Sequence, residues 1–265
     1  MIQEANPFLA VRREDEGIVI VTLDRAPANA ISRDTYDQLR TVFNTLSRDP
    51  DVRAIVFTGN GRLFCGGNEV GDFVDLGFEA ANTYLAHARL CYAAIYDCEV
   101  PVIGAINGAA AGTGLILASL CDIRVVSEKA SFLLPEINIG LAGGACHLAR
   151  LVGQGTARLM AYTGCKLGPE EARRVGLADI VVQPEDVVSR ALELAREIAK
   201  KNPLAVRLAK AGLNRNETQS VKEGFEFECD LIATALQTPL AAEAIRSFAF
   251  KRSPAPASEE PRRAG

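Results

Sequence analysis

The run Val100-Pro-Val-Ile-Gly-Ala-Ile-Asn-Gly-Ala-Ala-Ala-Gly-Thr-Gly-Leu-Ile-Leu-Ala-Ser-Leu-Cys121 carries no charge over 22 positions. That is long enough to cross a bilayer, and Gly108 with Gly112 forms a GxxxG spacing. The punctuation argues against a membrane span. Pro101 opens the run, Asn107-Gly108 is a turn signal, and Gly104, Gly108, Gly112 and Gly114 make a poor continuous helix. The stretch reads instead as a buried strand, a turn and a buried helix.

Outward from it, strands and helices alternate. Gly17–Asp24, Arg53–Thr58, Cys121–Val126, Ser131–Leu134 and Ala178–Val182 read as strands. Ser32 caps a helix running to about Leu46, and helical patterns follow near 145–162, 169–174, 184–200, 203–213, 218–236 and 239–251. Such alternation implies right-handed crossovers and a largely parallel sheet in an α/β fold. No internal repeat is visible. The reading is a core over 1–200, a helical region over 201–252 and a disordered tail over 253–265, where prolines and charges cluster.

Composition narrows the function. There are 29 Lys and Arg against 33 Asp and Glu, giving a net charge of −4 and no sign of a nucleic-acid binder. The only histidines, His87 and His147, exclude a multi-histidine metal site by count. The seven cysteines form no C-x-x-C pair, and the N-terminal residues lack an apolar signal core. Reduced thiols and a cytoplasmic location are the expectation.

Three glycine-bearing segments stand out: Thr58–Asn68, Asn107–Gly114 and Pro135–Gly144. None completes GxGxxG or a P-loop. Glycine lets backbone approach a ligand and lets peptide N–H groups converge. Two N–H groups from separate segments can form an oxyanion hole. Taken singly, each loop reads as well as a tight turn.

Their order and spacing resemble the crotonase superfamily, the enoyl-CoA hydratase/isomerase family. Leu23-Asp-Arg-Ala-Pro-Ala-Asn-Ala-Ile31 is similar to its L-N-R-P…N-A-L. Ala54–Val70 is similar to I-V-L-T-G-x-G-x-x-F-x-x-G-x-D-L, and Pro101–Asp122 to P-V-I-A-A-V-N-G-x-A-x-G-G-G-x-x-L-A…C-D. Ser131–Gly144 is similar to F-x-x-P-E-x-x-x-G-L-x-P-G, and Thr163-Gly to Gly176-Leu177 to T-G…A…G-L-V. The resemblance covers about Ile18 to Lys251.

The resemblance implies a crotonase-like ββα spiral with a helical C-terminal trimerisation region, assembling as a homotrimer or a hexamer of paired trimers. It implies an acyl-CoA thioester as substrate, with no separate cofactor and no metal. It implies an oxyanion hole from the backbone N–H groups of Asn68 and Thr113. Both side chains differ from the family pattern, but a peptide N–H does not depend on its side chain. Coenzyme A contacts would fall at Ala26, Pro27, Ala28 and Gly66, with Phe248 and Lys251 in Ser-Phe-Ala-Phe-Lys-Arg matching A-F-x-x-K-R. Lys251 reads equally as a solvated helix end.

Hydratases of the family carry two glutamates. The first would stand at Ile116 and is absent; the second matches Glu136. Glu136 could be a solvated loop carboxylate, but its flanks, Pro135, Ile137 and Ile139, make it a poor surface residue, and the resemblance implies a catalytic base. One base can take a proton from C2 of a 3-enoyl thioester and return it to C4, so a single carboxylate suffices for double-bond isomerisation. The alternatives are a 2-enoyl-CoA hydratase with a substitute acid, from the Glu69–Asp75 segment or His147, and a catalytically inactive acyl-CoA binder. Gly144 and His147 join Ile116 as acyl-pocket candidates, and His147 reads equally as a surface or interface residue. Cys65, without sequence partners, reads as a small buried thiol.

Overall fold

A computed structural model describes residues 8–251, with the Lys251 side chain outside that description. The expected tail over 253–265 therefore lies outside the described residues. The main sheet holds six strands in the order β1 (Leu9–Arg13), β2 (Ile18–Leu23), β3 (Ala54–Gly59), β4 (Val102–Ile106), β6 (Ile123–Ser127), β8 (Ile180–Val182). Only the β1–β2 pair is antiparallel. A second sheet pairs β5 (Ala109–Ala111) with β7 (Ser131–Leu133) in parallel.

The strands are apolar on both faces because helices cover both faces. Val19, Val21, Ile55 and Phe57 join the cluster that includes Tyr36, Leu39 and Phe43 of α1 (Arg33–Arg48). Ile18, Ile20, Val56 and Val125 alternate with them and pack on Val187, Ala191 and Ala195 of α6 (Val187–Ala199). Ser32 caps α1 as its sequence predicts, its hydroxyl accepting from the Thr35 N–H.

The small sheet reveals a repeat that the sequence conceals. Isolated parallel bridges extend it, from Ile31 to Asn68 and from Cys65 to Ala110. Each turn of the chain thus lays a main-sheet strand, then a short piece of the second layer, then a helix. The units are β2–Ile31–α1, β3–Cys65–α2 (Phe78–Tyr96), β4–β5–α3 (Thr113–Leu120) and β6–β7–α4 (Ala145–Thr163). This is the expected ββα spiral.

The uncharged run becomes β4, a turn at Asn107-Gly108, the unexpected strand β5, and the eight-residue α3. No described helix is long and apolar enough to cross a membrane. Two further elements escape the sequence patterns. Strand β1 is an edge strand whose exposed positions are Ala10, Arg12 and Arg13. Helix α2 buries mostly small residues, Ala88, Cys91 and Ala94, so its apolar stripe is faint.

Beyond α5 (Pro169–Arg174) and α6, the helices α7 (Pro203–Asn216), α8 (Val221–Leu236) and α9 (Pro239–Lys251) complete the described chain. Lys210 of α7 is buried and ion-paired to Asp122 at 2.7 Å, fastening that helix to the sheet.

Candidate active site

The three glycine-bearing segments meet in the second layer. Pairing aligns Cys65 with Ala110 and Ala110 with Phe132. Asn68, Thr113 and Glu136 therefore follow three adjacent parallel strands by three or four residues, and parallel pairing carries all three to the same end.

The Asn68 N–H faces away from the Ile31 bridge. Its neighbours are consumed by the bridge: the Ile31 N–H donates to Gly67 O at 2.8 Å, and the Glu69 N–H to Ile31 O at 2.9 Å. The N–H of Asn68 points the other way. Thr113 is the first residue of α3, where an N–H has no intrahelical acceptor and the dipole favours negative charge. Among the described residues neither N–H donates to a protein acceptor. A Cβ on Gly67 would lie 3.1 Å from Ala111 O and 3.9 Å from Thr113 N, so the two segments touch. Glycine is required there, since Gly67 has φ +106°. Two peptide N–H groups without a protein acceptor among the described residues thus come from two segments in contact, the arrangement an oxyanion hole needs.

Glu136 sits in a short helical turn, Pro135–Ile139, and its carboxylate lies against Gly112. A Cβ on Gly112 would stand 2.3 Å from Glu136 Oε1. The other oxygen, Oε2, is buried without a hydrogen-bond partner. Burial pushes the Glu136 pKa up, opposed only by a hydrogen bond from the residue's own backbone. A half-buried carboxylate with no ion-pair partner among the described residues is suited to take a proton.

Ile116 lies where a Cβ on Gly144 would meet it, at 3.1 Å, so these two candidates share one wall. His147, in the first turn of α4, meets the Tyr92 ring edge-on at 5.6 Å. Burial and the Arg150 charge push its pKa down, which favours the neutral imidazole. Glu69, one of the substitute acids considered, is instead ion-paired with Arg25 at 2.8 Å. Cys65 is fully buried, and burial raises its thiol pKa to about 12, consistent with an inert thiol.

Ala26, Pro27 and Ala28 form a loop pinned beside Gly66, whose N–H donates to Ala28 O at 2.8 Å. Asn29 does the pinning. It is buried at φ +51°, and its amide donates to Asn60 O and Leu63 O, both at 2.9 Å, while accepting from the Arg25 N–H at 3.0 Å. Asn29→Ala strands these groups and strains the backbone. We expect it to destabilise the fold by about 1–3 kcal/mol in denaturant titration.

Sequence reading missed a basic cleft next to this loop. It has a volume of about 730 Å³ and is lined by Pro27, Arg62, Lys129, Ser131 and Lys166, with no carboxylate in its wall. None of the three cations has an ion-pair partner among the described residues. The sequence signal was there in retrospect only as isolated charges, 67 and 37 residues apart, which only folding assembles. Phe248 stands apart from these groups, exposed on α9, which packs chiefly against α8.

Comparison with known proteins gives a consistent result. The family model for enoyl-CoA hydratase/isomerase matches residues 13–258. A crotonyl-CoA hydratase of Syntrophomonas wolfei is 32% identical over 247 residues, covering 91% of this chain and 95% of the relative. A short-chain-enoyl-CoA hydratase of Clostridium acetobutylicum is 31% identical, covering 90% and 94%. The crystal structure of an enoyl-CoA hydratase from Mycobacterium smegmatis superposes with a TM-score of 0.90 at 29% identity, covering 94% of this chain and 99% of that one.

Proposed function

Because the chain belongs to the enoyl-CoA hydratase/isomerase family, we propose that it is an acyl-CoA enzyme that moves a double bond through a thioester enolate, with Glu136 as its only base. The thioester oxygen lies between the N–H groups of Asn68 and Thr113, which stabilise it as negative charge develops. Glu136 removes a proton from C2 of a 3-enoyl thioester and returns it to C4. The observation that carries this reading is the half-buried Glu136 carboxylate, one oxygen of which has no hydrogen-bond partner, with apolar Ile116 at the position where hydratases of the family place their other glutamate. No second acid is needed for isomerisation.

Coenzyme A lies along Ala26–Ala28 and Gly66, its phosphates favoured by the charges of Arg62, Lys129 and Lys166. It is part of the substrate, and the proposed chemistry calls on no further cofactor. Exposed apolar side chains on α7 to α9, including Leu213, Phe225, Ile232 and Phe250, support assembly into trimers or hexamers.

A second reading is hydration of 2-enoyl-CoA with His147 as the substitute group. The half-buried imidazole against the Tyr92 ring, its pKa pushed down by burial, favours it, as do the names of the relatives. The two are separated by purified protein and two substrates. Appearance of 2-enoyl absorbance from 3-enoyl-CoA is the expected result. Its loss from 2-enoyl-CoA in water alone, without isomerase activity, would establish hydration instead. Tight CoA binding with neither activity would leave an inactive binder.

A further inference from the structure

We propose that Tyr36 is a positioning residue for the oxyanion hole, one buried phenol tethering the side chains of both residues that supply its N–H groups. The inference rests on the acyl-CoA reading above. The Tyr36 hydroxyl donates to Asn68 Oδ1 at 2.6 Å. Having one proton, it is committed to that bond, and its oxygen is left to accept. Thr113 Oγ1 and the Tyr92 hydroxyl both lie 3.1 Å from it, and Tyr92 and Thr113 lie 3.4 Å from each other. Three hydroxyls and one amide thus form a closed cluster behind the hole. Tyr36 comes from α1, Tyr92 from α2 and Thr113 from α3, so the cluster joins three successive turns of the spiral.

The tether matters because the backbone on either side is permissive. Asn68 follows Gly67 at φ +106°, and Thr113 follows Gly112 at φ +53°. Glycine allows those turns but does not fix them. A preorganised donor stabilises an oxyanion only if it need not reorient when charge develops. Holding both side chains on one rigid ring supplies that constraint. The ring itself is locked: Tyr36 is 1% exposed and meets Tyr84 and Tyr92 edge-on at 6.0 and 5.8 Å. Burial raises the pKa of Tyr36 far above its usual value and that of Tyr92 to about 12. The cluster therefore keeps its protons throughout the working range, and its role is orientation rather than proton transfer.

The test is Tyr36→Phe, which keeps the ring and removes only the hydroxyl. The readouts are turnover on the reactive enoyl-CoA and the infrared carbonyl band of a bound saturated acyl-CoA labelled with ¹³C at the thioester. In the wild type, the two N–H donors should shift that band to lower frequency on binding. Tyr36→Phe is expected to lower kcat about 10- to 100-fold, short of the loss from deleting a donor, with KM within threefold and a smaller carbonyl shift. Thr113→Val, which keeps the peptide N–H, should give a similar but non-additive loss when combined with it. An unchanged carbonyl shift in Tyr36→Phe overturns the positioning role, whatever happens to kcat. A wild type that binds acyl-CoA with no carbonyl shift, or does not bind it, overturns the acyl-CoA reading and the inference with it.

Discussion

Glu136→Gln is expected to cut turnover by about 10²- to 10⁴-fold, the range that a positioned general base contributes. The amide fits the same space against Gly112 but cannot accept the C2 proton. Binding should survive, because the groups assigned to coenzyme A and the oxyanion hole are untouched, so KM should move little while kcat collapses. The pH profile gives an independent check. Burial raises the Glu136 pKa, and the base must be ionised to act. Turnover should therefore fall as the pH drops through a midpoint above the ordinary glutamate range, and the residual activity of Glu136→Gln should lack that limb.

Stability should change in the opposite direction. With its folded-state pKa raised above the unfolded one, the ionised carboxylate destabilises the fold at neutral pH. That penalty fades as the pH falls through the folded pKa and is gone below the unfolded pKa. Glu136→Gln should accordingly melt at or above the wild-type Tm at pH 7. A variant with full turnover would refute the assignment of Glu136 as base.

The second large effect is expected from Gly112→Ala. The new methyl would stand 2.3 Å from Glu136 Oε1, closer than carbon and oxygen tolerate. Gly112 also holds φ +53° and ψ −117°, which an alanine adopts only at a cost of about 1–3 kcal/mol. The clashing atom ends a side chain, so the carboxylate moves and the fold persists. A displacement of about 1 Å at the reacting group can cost on the order of 10²-fold in rate. Turnover should fall by about that factor, with a native circular dichroism spectrum. Undiminished turnover would mean that the carboxylate position seen here does not matter for the reaction.

These effects also show how the site is written in the chain. The strands of the main sheet were legible because burial on both faces leaves a continuous β-branched run, as in Ile18–Leu23 and Ala54–Gly59. Helix α1 was legible from its cap at Ser32. The three glycine segments were visible, but each alone reads as a turn, and family resemblance gave them meaning. Helix α2 was not legible because three of its five buried residues are alanine or cysteine, which leaves a faint apolar stripe. The cluster around Tyr36 was equally hidden. Tyr36, Asn68, Tyr92 and Thr113 span 77 residues, and no local pattern joins them.

The sequence by itself determined the alternation of strand and helix, the glycines at 67 and 112 that permit positive φ, the single glutamate at 136 and the apolar residue at 116. These are local properties, set by side-chain size, charge and backbone freedom. Only the tertiary structure decided that Asn68, Thr113 and Glu136 share one end of adjacent strands, that Glu136 is half-buried with one carboxylate oxygen unpartnered, and that Arg62, Lys129 and Lys166 line one cleft. The reason is physical. Desolvation and convergence depend on what other segments place around a residue, and parallel pairing through the second layer of the spiral sets that placement.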